Sequence, residues 1–336
     1  MRRTFYLMNA GRLSRKDNTL LFQPTTESGE KNGTSRHLPV EGVSDFYVMG
    51  SLDVNSAALN FLGQQDISLH FFDYHENYTG SFVPRESLQA GAVKLAQARA
   101  VLSPDQRMEI AREFVRGSLL NLLRNLRYYR NRGKELTAIM ESVEANAGPI
   151  EEAPDIPTLM GLEGLTRQQY YSAFDTILDG RLVFGSRTKR PPQNELNALI
   201  SLGNSLCYVE CLKAIHKTQL DPTLSFLHEP GYRRFSLALD LAEIFKPLLV
   251  DRLIFMLVNK EQLGPRDFET GYGGVLLKRG ARETLARAWE ERLKTTIAHP
   301  KLSKQVTYRY LIRLEGYKLI KAIMGVEPYR AFRLNW

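Results

Sequence analysis

The sequence predicts an α+β protein in two parts. Residues 1–85 read as a β-domain of twisted antiparallel strands with one short helix, and residues 86–336 as a larger all-α domain. Three observations predict this. Short β-branched or aromatic runs, separated by Gly, Asn, Asp and Ser, fill the N-terminal part, as strands and turns do. From "PRESLQAGAVKLAQARAVL" onward, apolar residues recur with the 3.6-residue period of helices. The length, 336 residues, also exceeds that of a typical single domain.

The strands are read, in order, at "TFYLM", "TLLFQ", "HLPV", "DFYVM", "ISLHFFD" and "YTGSFVP". "SRKDNTL" has the polar turn chemistry of a hairpin, and "NSAALNFLGQQ" reads as the short helix. Helical patterns follow at 105–129, 134–145, 158–179, 193–217, 236–259, 281–298 and about 303–323. "NAGPIEEAPDIP" is an acidic Pro-rich connector, and "DGRLVFGSRTKRPP" is a basic break ending in two prolines.

Hydrophobic residues make up 43% and charged residues 24%, the composition of a globular protein that buries a core. The net charge of +8 favours a polyanionic partner over a small neutral substrate. Cys207 and Cys211 are the only cysteines; four apart on a helix, they read as small core residues. They offer neither a disulfide framework nor a zinc ligand set. "MRRTFYLMNAGRL" lacks the apolar run of a signal peptide. The densest apolar stretch, "PLLVDRLIFMLVN", is broken by Asp251 and Arg252, so no membrane span is expected and a cytoplasmic protein is.

Two segments bring chemistry-bearing residues together. In "TLMGLEGLTRQQYYSAFDTIL" a stripe of Leu159, Leu162, Leu165, Phe174 and Ile177 runs along the helix, and Glu163 stands between Gly161 and Gly164. Each glycine costs the helix up to about 1 kcal/mol relative to alanine, and glycines three apart suggest close approach by another element. Glu163 is then either a carboxylate among apolar neighbours or one facing water. In "LHEPGYRRFSLALDLAEIFKP" His228 precedes a helix with Ser236 as its expected N-cap. Asp240 and Glu243, three apart, share a face close to the apolar stripe of Leu237, Leu241, Ile244 and Leu248. Pro247 cannot donate to the carbonyl of residue 243, so the helix should kink beside Glu243. Two carboxylates and one imidazole suit magnesium or manganese better than zinc or an iron–sulfur cluster. A carboxylate there is costly to bury without its cation, so neutralising Glu243 should leave the metal-free protein no less stable.

"LMGLEG…YY", "RPPQNELNALISLGNSL" and "LDPTLSFLHEPGYRRFSLALDLAEIFKPLLVDRLIF" resemble three signature blocks of the CRISPR-associated integrase, the nuclease-integrase of CRISPR adaptation. "TFYLMNAGRLSRKDNTLLFQ", "ALNFLGQQDISLHFFDYHENYTGSFVPRE" and "FETGYGGVLLKRGARETL" are similar to the same family, so the resemblance covers essentially the whole chain.

The resemblance implies an N-terminal β-domain that makes a homodimer and a helical catalytic domain with one Mg2+ or Mn2+ site. It also implies double-stranded DNA and the small partner protein of the adaptation complex as partners. The activity it implies is metal-dependent cutting of DNA and insertion of short foreign segments into a repeat array. In this, a 3′-hydroxyl attacks a phosphodiester. It carries the metal-ligand role onto Glu163, His228 and Glu243, with Asp240 as a further catalytic residue beside Glu243. Asn197 matches a family asparagine read as supporting the site. Arg233 and Arg234 are placed to hold DNA phosphates. Arg124, Arg127 and Arg130, interleaved with tyrosines, and Arg190 in the basic break fit a DNA track; a solvated helix end reads the same way. Two other functions stay open: a structure-selective DNA nuclease of repair with the same metal site, and a catalytically silent DNA-binding scaffold.

Overall fold

The computed structural model describes residues 2–84, 90–231, 235–299 and 302–334. Arg233 and Arg234 lie outside the described residues. The chain divides into two compact units, Met1–Ser87 and Leu88–Trp336.

The first unit holds β1 (Arg3–Leu7), β2 (Gly11–Lys16), β3 (Thr19–Pro24), β4 (Arg36–Leu38), β5 (Val43–Val48), β6 (Leu52–Val54), α1 (Ser56–Gln64), β7 (Ser68–Phe72) and β8 (Tyr78–Phe82). They form two four-stranded sheets, ordered β1-β5-β7-β8 and β4-β3-β2-β6. The β2–β3 hairpin closes through Asp17 and Asn18, with Lys16 opposite Thr19 and Asp17 at φ 53°. Such a turn needs a residue that tolerates the left-handed region, and Asp does.

The sheets are mixed, which corrects the antiparallel expectation. β2–β3, β3–β4 and β7–β8 are antiparallel, but β1–β5, β5–β7 and β2–β6 are parallel. For β5–β7 the short helix is the reason: α1 lies on the crossover between them, and strands joined through a helix return in the same direction. Its first turn is capped by the Asn55 side chain, which accepts from the Ala58 amide at 2.9 Å. Leu7, Leu13, Leu20, Phe46, Leu62 and Leu69 form the core of this unit.

The second unit contains α2 (Gly91–Leu102), α3 (Pro104–Arg130), α4 (Thr137–Glu144), α5 (Ala147–Glu152), α6 (Ile156–Tyr171), α7 (Phe174–Ile177), α8 (Glu195–His216), α9 (Ser236–Lys246) and α10 (Arg252–Asn259). The hairpin β9 (Phe268–Gly271) and β10 (Gly274–Leu277) follows, then α11 (Arg279–Lys294), the hairpin β11 (Thr296–His299) and β12 (Lys304–Thr307), and α12 (Tyr308–Ile323). This unit is predominantly helical, and the two hairpins correct the all-α expectation. Their four-residue strands are too short to show a period of two. The first turns through Tyr272 and Gly273, both at positive φ, inside "GYGG".

Helix starts follow local chemistry. Asp155 accepts from the Thr158 amide at 2.8 Å to open α6, and Asn194 accepts from the Asn197 amide at 2.8 Å to open α8. Ser236 is not the expected cap. It is the first residue of α9, fully buried, and its hydroxyl is taken up by Ser225 Oγ and the Thr223 carbonyl. By length and composition α8 could cross a membrane, but its apolar window is 72% buried in the unit. It is a core helix, with Cys207 and Cys211 both inside.

Between α9 and α10 the chain makes a π-turn, Pro247–Asp251. Such a turn is where the missing proline donor is absorbed. The carbonyls around it are satisfied from other elements. Asn121 Nδ2 donates to Ile244 O at 3.0 Å, Asn125 Nδ2 to Pro247 O at 2.7 Å, and Arg292 Nη2 to Leu248 O at 2.8 Å.

Candidate metal centre

Asp240 is fully buried on α9 and organises the segment before that helix. Its Oδ2 accepts the amides of Phe226 (2.7 Å) and Leu227 (3.0 Å). Its Oδ1 accepts the His228 amide (2.9 Å) and pairs with His228 Nδ1 at 2.8 Å. One carboxylate therefore folds residues 226–228 back over the helix and fixes the imidazole, leaving Nε2 as its free nitrogen. Burial, the largest single effect, disfavours the charged imidazole, but the hydrogen bond and charge of Asp240 and the charge of Glu243 together outweigh it and raise the His228 pKa.

Glu243, one turn on, is buried between two cations. Arg167 Nη2 donates to Oε2 at 2.9 Å, and Lys246 Nζ bonds Oε1. Burial opposes its ionisation, yet Lys246 and Arg167 hold it well below the usual carboxylate range. Glu163, on α6, approaches the same guanidinium, its Oε1 3.8 Å from Arg167 Nε. Burial and the Glu243 charge push Glu163 up to about 7. Like charges brought near each other in a buried site cannot both ionise cheaply, so the charge of Glu243 adds to burial in raising Glu163.

The glycines flanking Glu163 do not receive a neighbouring element. Nothing lies within 4 Å of where a side chain would start at Gly161 or Gly164. Leu165 is 44% exposed, so the expected apolar stripe of α6 is rotated; Leu159, Thr166, Arg167, Tyr170 and Tyr171 are its buried residues. Glu163 sits at the edge of that face, one turn before Arg167.

The structure thus brings Glu163 and Glu243 to the same Arg167 guanidinium, at 3.8 and 2.9 Å, with His228 in electrostatic reach of Glu243. Among the described residues, no three His, Cys, Asp or Glu side chains are gathered into a ready cage for a metal. Arg167 and Lys246 occupy both oxygens of Glu243 instead. The donor set nevertheless fits a hard divalent cation: two carboxylates converge on one buried positive group, and the imidazole is already held by a carboxylate, as ligating histidines are.

Asn197 is fully buried and braces the basic break. Its Oδ1 accepts Arg187 Nη1 at 2.8 Å and the Thr188 amide at 3.1 Å, and its Nδ2 donates to Ser186 O at 2.8 Å. The next residue, Lys189, has its pKa lowered by desolvation and by Arg187 and Lys246, against the pull of Glu243 and Glu163. Arg190 is exposed. On α3, Arg127 and Arg130 are exposed at the last turn, two turns beyond Asn121; Arg127 pairs with Glu144 at 3.3 Å. Arg124 is half-buried and engaged by neighbours.

Sequence reading missed Arg167, Lys246 and Asp251. The first two stand four and three residues after a candidate glutamate, a spacing that puts both partners on one helix face.

The family model for CRISPR associated protein Cas1 matches residues 5–291. The chain is 44% identical over 336 residues to the CRISPR-associated endonuclease Cas1 of Fusobacterium nucleatum, covering 100% of this chain and 98% of that protein. A Cas1 protein from Thermotoga maritima superposes with a TM-score of 0.85 at 37% identity, over 98% of this chain and 100% of that one. Two more distant structures share the fold. A casposase bound to its integration product has a TM-score of 0.83 at 18% identity, covering 100% of this chain and 96% of that one. A Cas6-RT-Cas1–Cas2 complex has a TM-score of 0.83 at 19% identity, covering 100% of this chain and 36% of that one.

Proposed function

The chain belongs to the Cas1 family of CRISPR-associated proteins, and from that premise we propose that it is the DNA endonuclease and integrase of CRISPR adaptation, dependent on Mg2+ or Mn2+. Its substrate is double-stranded DNA. Short foreign segments are joined to a repeat array when a DNA 3′-hydroxyl attacks a phosphodiester, forming one P–O bond as the strand's own P–O bond breaks. The observation that carries the metal reading is the convergence of Glu163 and Glu243 on one guanidinium, at 3.8 and 2.9 Å, with an imidazole on the neighbouring segment held by Asp240 at 2.8 Å.

Glu163, Glu243 and His228 Nε2 would hold the cation. When bound, it supplies charge at the phosphoryl oxygen and lowers the pKa of the attacking hydroxyl. The remaining work falls to the chain's own residues. Asp240 holds the imidazole in one tautomer and orientation by engaging Nδ1. Lys246 and Lys189 supply positive charge for the phosphate beside the carboxylates. Asn197 keeps the loop carrying Lys189 in place. Arg127, Arg130 and Arg190, with Arg233 and Arg234, hold backbone phosphates. The protein works as a homodimer formed through its first unit, bound to the small partner protein of the adaptation complex, in the cytoplasm. The family supports these assignments, as do the Cas1–Cas2 assembly and integration product named for the distant structures.

The test is an integration assay with manganese, duplex DNA bearing free 3′-hydroxyls, a repeat-array plasmid and the partner protein. Wild type should join the DNA to the array, and His228→Ala and Glu163→Gln should lose joining while still binding DNA. Cutting of branched DNA with no joining under any of these conditions would replace the integrase by a repair nuclease. Full activity in both variants would remove the metal site from these residues.

A further inference from the structure

Arg167 is nearly buried, and three of its nitrogens face three different carboxylates. Nη2 meets Glu243 Oε2 at 2.9 Å, Nε stands 3.8 Å from Glu163 Oε1, and Nη1 stands 3.6 Å from Asp251 Oδ2. Asp251 is the last residue of the π-turn and is itself 1% exposed. Arg167 Nη1 and Asp251 Oδ2 are both buried with no hydrogen bond, so the ion pair between them is their partnership. Asp251 is further tied to Tyr170, whose hydroxyl accepts Asn125 Nδ2 at 3.0 Å, and the same nitrogen reaches Pro247 O. The Arg167–Asp251 ion pair therefore links the turn that follows Pro247 to one oxygen of Glu243.

The two cations on Glu243 are not equivalent. Lys246 takes Oε1, its side chain is 17% exposed, and it acts electrostatically on His228. It is an ammonium on a flexible stem. Arg167 takes Oε2, its side chain is 10% exposed, and its other nitrogens are directed at Glu163 and Asp251. A guanidinium has a rigid fork of donors, so it fixes the plane of a carboxylate where an ammonium supplies only a point of charge.

We infer that Arg167, anchored by Asp251 of the π-turn, is a positioning residue: it clamps Glu243 Oε2 and leaves Oε1, once Lys246 swings away, as the oxygen that takes the divalent cation. This rests on Glu163, His228 and Glu243 being the ligand set. It adds a residue outside that set, and a turn of the backbone, to what decides metal affinity.

The experiment is Mn2+ titration calorimetry on the DNA-free protein, with the metal-free melting temperature recorded for every variant. Arg167→Lys keeps the charge and loses the fork, and Asp251→Asn keeps the shape and loses the anchor. Both should weaken Mn2+ binding by about tenfold or more, the scale typical of groups that orient a metal ligand. Cutting by both should return toward the wild-type rate once Mn2+ is saturating, which a general loss of structure would not allow. Lys246→Met should bind Mn2+ more tightly than wild type. Should Arg167→Lys fail to fold, Asp251→Asn decides alone. Wild-type Mn2+ affinity in whichever of the two folds overturns the positioning role. His228→Ala and Glu163→Gln separate the two ideas. If they abolish Mn2+ binding while Asp251→Asn leaves it unchanged, the ligand set stands and the clamp fails; if they too bind as wild type does, the ligand set itself falls.

Discussion

Glu163 and Glu243 converge on one guanidinium, yet the same neighbourhood moves them in opposite directions. Glu243 holds both cations and stays ionised; Glu163, left with burial and a neighbouring charge, keeps its proton to about pH 7. Neutralising the two should therefore differ. Glu243→Gln leaves Arg167 buried with a lost partner, and breaking a buried pair costs about 3–5 kcal/mol. This reverses the expectation that the metal-free protein would tolerate the change, because the counter-charge is Arg167, a residue that sequence reading had not paired with it. Glu163→Gln mimics the protonated acid. Between its ordinary 4.5 and about 7 the folded protein keeps a proton that the unfolded chain gives up. Stability from this group is thus fully present below 4.5 and lost as pH rises through 7. Metal-free Glu163→Gln should match wild type in melting temperature at acid pH and exceed it at pH above about 7. Melting scans across that range check this, and a variant less stable than wild type at alkaline pH would contradict it. That Asp240 lies against His228, and that Glu163 and Glu243 lie in one neighbourhood, was legible because residue type and motif agree. Which way α6 turns was not: Leu162 and Leu165 suggest one buried face, and the ion pairs made by Arg167 select another.

At the scale of elements, the π-turn is where sequence and packing meet. The missing donor of Pro247 made a break beside Glu243 readable from the sequence alone. What satisfies the freed carbonyls was not readable, because Asn121 and Asn125 lie more than a hundred residues away on α3 and resemble ordinary polar helix residues. Both are fully buried. Asn125→Ala would leave Pro247 O without its donor and remove the acceptor of Arg252 Nε, which now lies 2.6 Å from Asn125 Oδ1. Leaving a buried polar group unpaired costs about 1–3 kcal/mol. We expect Asn125→Ala to lower metal-free stability on that scale in urea unfolding, and to weaken Mn2+ binding because Tyr170 and Asp251 lose their brace. An unchanged unfolding midpoint would mean that the turn is held by its own helices. The two hairpins were illegible for a simpler reason. Strands of four residues carry too few positions to separate a period of two from one of 3.6.

Over the whole molecule, 45 basic and 37 acidic residues give a net charge of +8, but the excess acts on DNA only where it is unspent. Much of it is spent inside the helical unit: Arg309 bridges Glu210 and Glu290, Arg167 bridges the candidate centre, and Arg112 is taken by the carbonyls of Ile150 and Ala153. Sequence shows the number of charges and their order, and it does not show which are already paired. This changes the reading of the basic end of α3. Arg124 is engaged, which leaves Arg127 and Arg130 at the surface. The Arg127–Glu144 pair is exposed on both sides, and such pairs contribute little, so a phosphate can take the place of the glutamate. Each phosphate neutralised by the protein contributes about 0.9 to the slope of log affinity against log salt on duplex DNA. Replacing Arg127 and Arg130 together by alanine should therefore flatten that slope by about 2, on any DNA sequence, without altering the melting temperature. Arg124→Ala should instead lower the melting temperature, because it removes a group already held within the fold. Duplex binding measured from low to high salt distinguishes these outcomes. A slope that stays at the wild-type value in the double variant would mean that the end of α3 faces water and that the DNA track runs elsewhere on the helical unit.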